Sequence, residues 1–203
     1  MTPLGGVPCG ATLRTFARAL WAPPDVQETL VGASRAATQT RKGGNGMKGM
    51  VVYDSVHGNT KQVAEAVAET LRSAGTVEAH RVSEVELDEL AELDILVMGA
   101  PTHAFQPSPE AKKFLKRIPG GALEGVRVAA FDTRISGEDT DSGVLSFMIR
   151  LFGYAAKPMA DRLRKKGGKL ALPPEGFFVE DTEGPLKEGE LERAAEWADP
   201  LAQ

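Results

Sequence analysis

From residue 47 onward, short apolar runs alternate with stretches whose apolar residues recur every three or four positions. The first kind reads as buried strands and the second as amphipathic helices. Strands are predicted over Gly49–Asp54, Val77–Val82, Asp94–Gly99 and Val126–Phe131. A fifth begins at Lys169-Leu170-Ala171-Leu172 and resumes at Phe177-Phe178-Val179, with Pro173-Pro174 as the break. Ile95-Leu96-Val97-Met98 has no polar interruption, as expected for a strand covered on both faces, whereas Val77–Val82 is less apolar and belongs nearer an edge. Helices are predicted over 60–74, 109–118, 142–152, 158–166 and 188–198, with a short piece near 85–92. In the first of them Val63, Ala64, Val67, Ala68 and Leu71 line one face, and Asn59 or Thr60 is the expected N-cap.

Strands separated by helical segments call for parallel pairing through crossover helices. The fold class is therefore α/β: a doubly wound, five-stranded parallel sheet of order 2-1-3-4-5 with helices on both faces. In such sheets a ligand sits beyond the carboxyl ends of the strands, where the strand order reverses. The loops after strands one, three and four should meet there.

The first of these loops carries chemistry in its residue types. Val51-Val52-Tyr53-Asp54-Ser55-Val56-His57-Gly58-Asn59-Thr60 is a strand that turns through a glycine- and hydroxyl-bearing loop into a helix. Amides at a helix start are unpaired and sit at the positive end of the helix dipole, so a tight entry loop concentrates donors on an anion. Gly58 lets the backbone approach closely, and Ser55 and Thr60 add hydroxyls. With Tyr53 before it and Ala64 and Val67 after it, the run resembles the FMN-phosphate loop of the flavodoxin family.

That resemblance extends over essentially all of 48–199. Gly99-Ala100-Pro101-Thr102-His103-Ala104-Phe105-Gln106-Pro107 is similar to the loop that touches the isoalloxazine ring, and Asp132-Thr133-Arg134-Ile135-Ser136-Gly137-Glu138-Asp139 occupies the place of the loop on its other side. The end of the chain, through Gly184-Pro185-Leu186 to Trp197, follows the family's closing pattern, and no long insertion splits strand five, as in short-chain members. The resemblance implies FMN as cofactor. Its implied contacts are Ser55, Val56, His57, Gly58, Asn59 and Thr60 from the first loop, Pro101, Thr102, His103 and Phe105 from the second, and Asp132, Thr133 and Arg134 from the third.

Some of these residues carry two readings. His57 stands where the family usually has a hydroxyl, and is either a phosphate donor or an exposed loop histidine. Phe105 or His103 stacks on the ring, or Phe105 packs beneath its loop. Arg134 either stabilises negative charge on the reduced ring or pairs with one of Asp132, Glu138, Asp139 and Asp141. The third loop lacks the tyrosine often laid against the flavin, and no glycine stands between Pro101 and Pro109 to ease a peptide flip there. The missing tyrosine implies weaker flavin affinity, and the missing glycine, with Arg134, favours a higher potential than that of a low-potential carrier. His80 and Trp197 are expected to be structural, and the basic run Arg162, Arg164, Lys165, Lys166 to stabilise a helix C-terminus.

Composition narrows the surroundings. The chain has 203 residues, 42% of them hydrophobic, and a net charge of −4. Residues 1–46 hold five basic and two acidic side chains, so the part from Met47 onward, with 19 basic and 26 acidic, lies near −7. Nucleic acid is repelled by such a domain and a basic redox partner is steered toward it. No apolar stretch reaches the roughly 20 residues needed to span a bilayer. Cys9 is the single cysteine, which excludes an intramolecular disulfide framework and fits a reducing cytoplasm. Residues 1–46, rich in Pro and Gly and without periodicity, are expected to be a disordered extension before a domain over 47–203, with Met47 or Met50 the favoured natural start and a basic, serine-poor targeting peptide the alternative.

The function implied is electron transfer through reversible flavin reduction, to or from a redox partner protein or a small acceptor such as a quinone. These motifs do not separate a carrier from a quinone-type reductase, name no catalytic or metal-binding residue, and leave the oligomeric state open. The competing reading is a binding or regulatory domain that keeps the fold without the flavin. A phosphorylation receiver would need an Asp ending strand three, where Met98-Gly99 stands, and a dinucleotide fold would need Gly-x-Gly-x-x-Gly after strand one.

Overall fold

The structure, a computed structural model, describes residues 46–104, 106–135 and 155–203. Phe105, residues 1–45 and the helix predicted over 142–152 lie outside the described residues. The central parallel strands are β1 (Met47–Tyr53), β2 (Gly75–Arg81), β3 (Ile95–His103) and β5 (Arg127–Ile135). The fifth sheet position is shared by β6 (Lys169–Leu170) and β7 (Glu175–Val179), both paired with β5. The order β2-β1-β3-β5-β6 is the doubly wound order expected from the sequence. Prolines 173 and 174 fall in the gap between β6 and β7, because a residue without an N–H cannot continue the ladder. A short β4 (Gln106–Pro107) pairs antiparallel with the end of β3, Thr102 opposite Pro107.

Four helices among the described residues accompany the sheet: α1 (Asn59–Leu71), α2 (Pro109–Arg117), α3 (Ala156–Lys165) and α4 (Glu190–Ala198). Val63, Ala64, Val67, Ala68 and Leu71 of α1 are fully buried against β1, β3 and α4 residues, as their spacing requires. On the other face Leu96, Met98, Val128 and Ala130 pack with Phe114 and Leu115 of α2 and Met159 and Leu163 of α3. Trp197 is core-facing: its ring meets Phe131 and Phe177 edge-to-face at 6.1 Å, and those two meet each other at 5.7 Å.

Three local expectations are corrected. The N-cap of α1 is Gly58, at φ 90° and without a side-chain cap bond; Asn59 and Thr60 turn their side chains to other segments. That helix ends at Leu71 because Gly75 already opens β2 in register with Met47. The helical piece near 85–92 contracts to one 3-10 turn, Glu89–Glu92, which seats Leu90 in the core. The basic run does close α3, with Arg162, Arg164 and Lys165 in its last turn.

Candidate functional site

At the carboxyl ends of β1, β3, β5 and β7 the loops enclose a hollow of about 570 Å³ open to solvent. Ser55, Val56, His57, Asn59 and Thr60 form one wall, Pro101, Thr102 and His103 a second, and Thr133, Arg134 and Ile135 a third. Val179 and Thr182, beyond β7, complete the lining. No carboxylate side chain is among these residues, and Arg134, His57 and His103 bring its titratable nitrogen groups.

The β1–α1 loop is built to keep donors free. Gly58 gives its N–H to the Ser55 hydroxyl at 3.0 Å, which closes the turn and leaves the hydroxyl proton of Ser55 available. The left-handed backbone of Gly58 brings α1 into line, and a Cβ there would meet nothing within 4 Å. No hydrogen bond among the described residues engages the amides of Val56, His57, Asn59 or Thr60. Val56 and His57 are exposed, but Asn59 and Thr60 are buried, where amides are ordinarily paired. A tetrahedral anion with several acceptor oxygens is the complement of this group, and the start of α1 adds its dipole.

Hydroxyls reinforce the same region. Thr60 Oγ1 and Thr133 Oγ1 lie 2.8 Å apart, with Thr60 only 1% exposed. One of them donates to the other, so the pair retains a proton to offer the hollow. Asn59 instead serves the architecture: its Nδ2 donates to the Glu183 carbonyl at 2.9 Å and ties the turn beyond β7 to the loop.

Below the hollow lies a buried carboxylate. Asp132 is fully buried; its oxygens accept from Arg134 Nε at 2.6 Å and from the Ala156 amide at 2.7 Å. Thr102 also hydrogen-bonds to it and accepts from the Ala155 amide at 3.3 Å. Burial pushes the Asp132 carboxyl up to about 6, against the lowering effects of Arg134, the Ala156 amide and Thr102. This residue therefore joins the ends of β3, β5 and α3 from beneath, and does not itself line the hollow. Arg134 pairs with Asp132, as one of its readings has it, and also lines the hollow.

Of the sequence-predicted site residues, Ser55, Val56, His57, Asn59, Thr60, Pro101, Thr102, His103, Thr133 and Arg134 come together here. Gly58 shapes the loop from behind and Asp132 supports it, while Phe105 is outside the described residues. Sequence reasoning missed Ile135, Val179 and Thr182. The signal was present in topology, since β7 shares the ligand-bearing end of the sheet. It also missed the left-handed Ala104, φ 45°, which lies where β3 turns into β4.

A family model described as a flavodoxin domain matches residues 50–173. A flavodoxin of Aquifex aeolicus is 32% identical over 127 residues, which cover 59% of this chain and 69% of that protein. An NAD(P)H dehydrogenase (quinone) of Azorhizobium caulinodans is 32% identical over 121 residues, covering 46% of this chain and 61% of its own length. Among solved structures, a flavodoxin from the domain Archaea superposes with a TM-score of 0.61 at 24% identity, over 77% of this chain and 96% of its own. The rubredoxin oxygen:oxidoreductase of Desulfovibrio gigas gives 0.61 at 20% identity over 87% of this chain and 40% of its own. The two superpositions show a shared fold.

Proposed function

Because the chain belongs to the flavodoxin family, whose cofactor is FMN, we propose that residues 47–203 bind FMN in the hollow and pass electrons to or from a partner protein or small acceptor. The observation that carries this reading is the set of unengaged amides at Val56, His57, Asn59 and Thr60, gathered where α1 begins, on residues that line a hollow with no carboxylate side chain among its described lining residues. When bound, FMN would supply reversible one- and two-electron chemistry, and the protein supplies position and electrostatics.

In this reading the loop amides, the Ser55 hydroxyl and the Thr60–Thr133 pair hold the phosphate monoester. Pro101, Thr102, His103, Arg134 and Ile135, which line the rest of the hollow, would hold the ring. Arg134, fixed by Asp132, keeps its guanidinium at the wall, where it favours added negative charge. The Asp132 carboxylate offsets part of that charge, so the effect on potential is smaller than a lone arginine would give. A cytoplasmic setting suits the role.

Purification of the full chain tests the reading. A yellow preparation with the two absorption bands of oxidised flavin, releasing FMN on denaturation, supports it; a colourless preparation that takes up no added FMN contradicts it. The quinone dehydrogenase relative and the arginine at the wall also favour a second reading, in which the chain reduces quinones itself. Turnover of NAD(P)H with a quinone by the flavin-loaded chain alone selects that reading, and its absence selects the carrier.

A further inference from the structure

Arg81 ends the edge strand β2, opposite Tyr53 of β1, and is not among the residues lining the hollow. Its backbone N–H donates to Glu84 Oε2 at 2.9 Å, which fixes the strand end. Its Nη2 donates to the Ser55 carbonyl at 2.5 Å and stands 3.9 Å from Asp54 Oδ1. The Asp54 side chain is 5% exposed, and its amide is bonded to the Gly99 carbonyl at 3.0 Å, so the carboxylate is held beside the loop.

Two consequences follow from that placement. A trans peptide directs its N–H opposite to its carbonyl, so anchoring the Ser55 oxygen on Arg81 fixes the Val56 N–H on the side away from Arg81. A nearly buried carboxylate one residue before an anion-binding loop also repels a phosphate dianion, and a guanidinium at this distance offsets that repulsion. Resting on the reading that FMN occupies the hollow, we propose that Arg81 is a positioning residue. It makes the loop selective for phosphorylated over unphosphorylated flavin by fixing the Ser55–Val56 peptide and offsetting part of the Asp54 charge.

The test is a fluorescence-quenching titration of the flavin-freed full chain with FMN and, separately, with riboflavin. Arg81→Gln weakens FMN binding by about tenfold or more and changes riboflavin binding by less than about twofold, since riboflavin carries no charge for the loop to meet. Asp54→Asn added to Arg81→Gln restores a large part of the FMN affinity, and Arg81→Lys retains more than Arg81→Gln because it keeps the charge. Asp54→Asn alone, with Arg81 intact, tightens FMN and leaves riboflavin unchanged, a comparison that stands even if the arginine variants fold poorly. Parallel weakening of both flavins, or no change in FMN affinity in either Arg81→Gln or Asp54→Asn, overturns the proposal. Failure of the wild-type chain to quench FMN at all removes the cofactor reading itself, and is recognised before any variant is compared.

Discussion

At the scale of single residues the site depends on polar groups whose partners are counted in ones and twos. Thr60 is nearly inaccessible and shares a proton with Thr133, so Thr60→Val removes a hydroxyl from the phosphate wall and leaves Thr133 without its partner. FMN retention should fall by roughly 1.5–3 kcal/mol, the range for a hydrogen bond to a charged group. Equilibrium dialysis of the variant against FMN checks it. Asp132 makes a second prediction through its raised pKa. From its ordinary 3.8 to about 6 the folded protein binds the proton more tightly than the unfolded chain does. Its contribution to stability is thus present below about pH 4 and is lost as pH rises through about 6. Asp132→Asn lacks that loss, so its stability relative to wild type should improve by about 2 kcal/mol between about pH 4 and pH 7. Urea unfolding of both proteins across that window measures it. The sequence named Asp132 as a cofactor contact; its role underneath was not visible there because burial depends on α3 closing over it.

At the scale of elements, β1, β3 and β5 were legible because each carries an apolar run, β2 and the fifth position as less apolar or broken ones, and the described helices because each shows a clear face. What escaped were ends and caps. Gly58 caps α1 through its backbone, a function that no side-chain rule records, and Asn59, by composition the better cap, is drawn to the Glu183 carbonyl instead. The turn beyond β7 went unread for the same reason: its value lies in a contact across the fold. Gly184 sits there at φ 105°, and a Cβ on it would collide with the Asn59 side chain. Gly184→Ala should cost about 1–3 kcal/mol through strain and displaced packing. It should also loosen FMN, because it breaks the tie that seats α1's first residue. Thermal melts with and without FMN check both effects: the variant melts lower, and FMN raises its melting temperature less than it raises that of wild type.

For the molecule as a whole, the doubly wound order brings four strand ends to one edge and thereby collects residues distant in sequence around one hollow. Order and switch point were readable from the alternation of elements; the division of β6 and β7 was readable from Pro173 and Pro174. The division of labour within the site was not, since Arg134 serves the wall and Asp132 together. No helix among the described residues is long and apolar enough to cross a membrane, and no cluster of His, Cys, Asp or Glu there could hold a metal ion. The central claim is that unengaged backbone amides at the start of α1 take a phosphate. An amide-resolved NMR titration of the flavin-freed chain with FMN tests it most directly. The account predicts saturating shifts at the Val56, His57, Asn59 and Thr60 amides that riboflavin does not reproduce in full; saturation that leaves those four amides unmoved would contradict it.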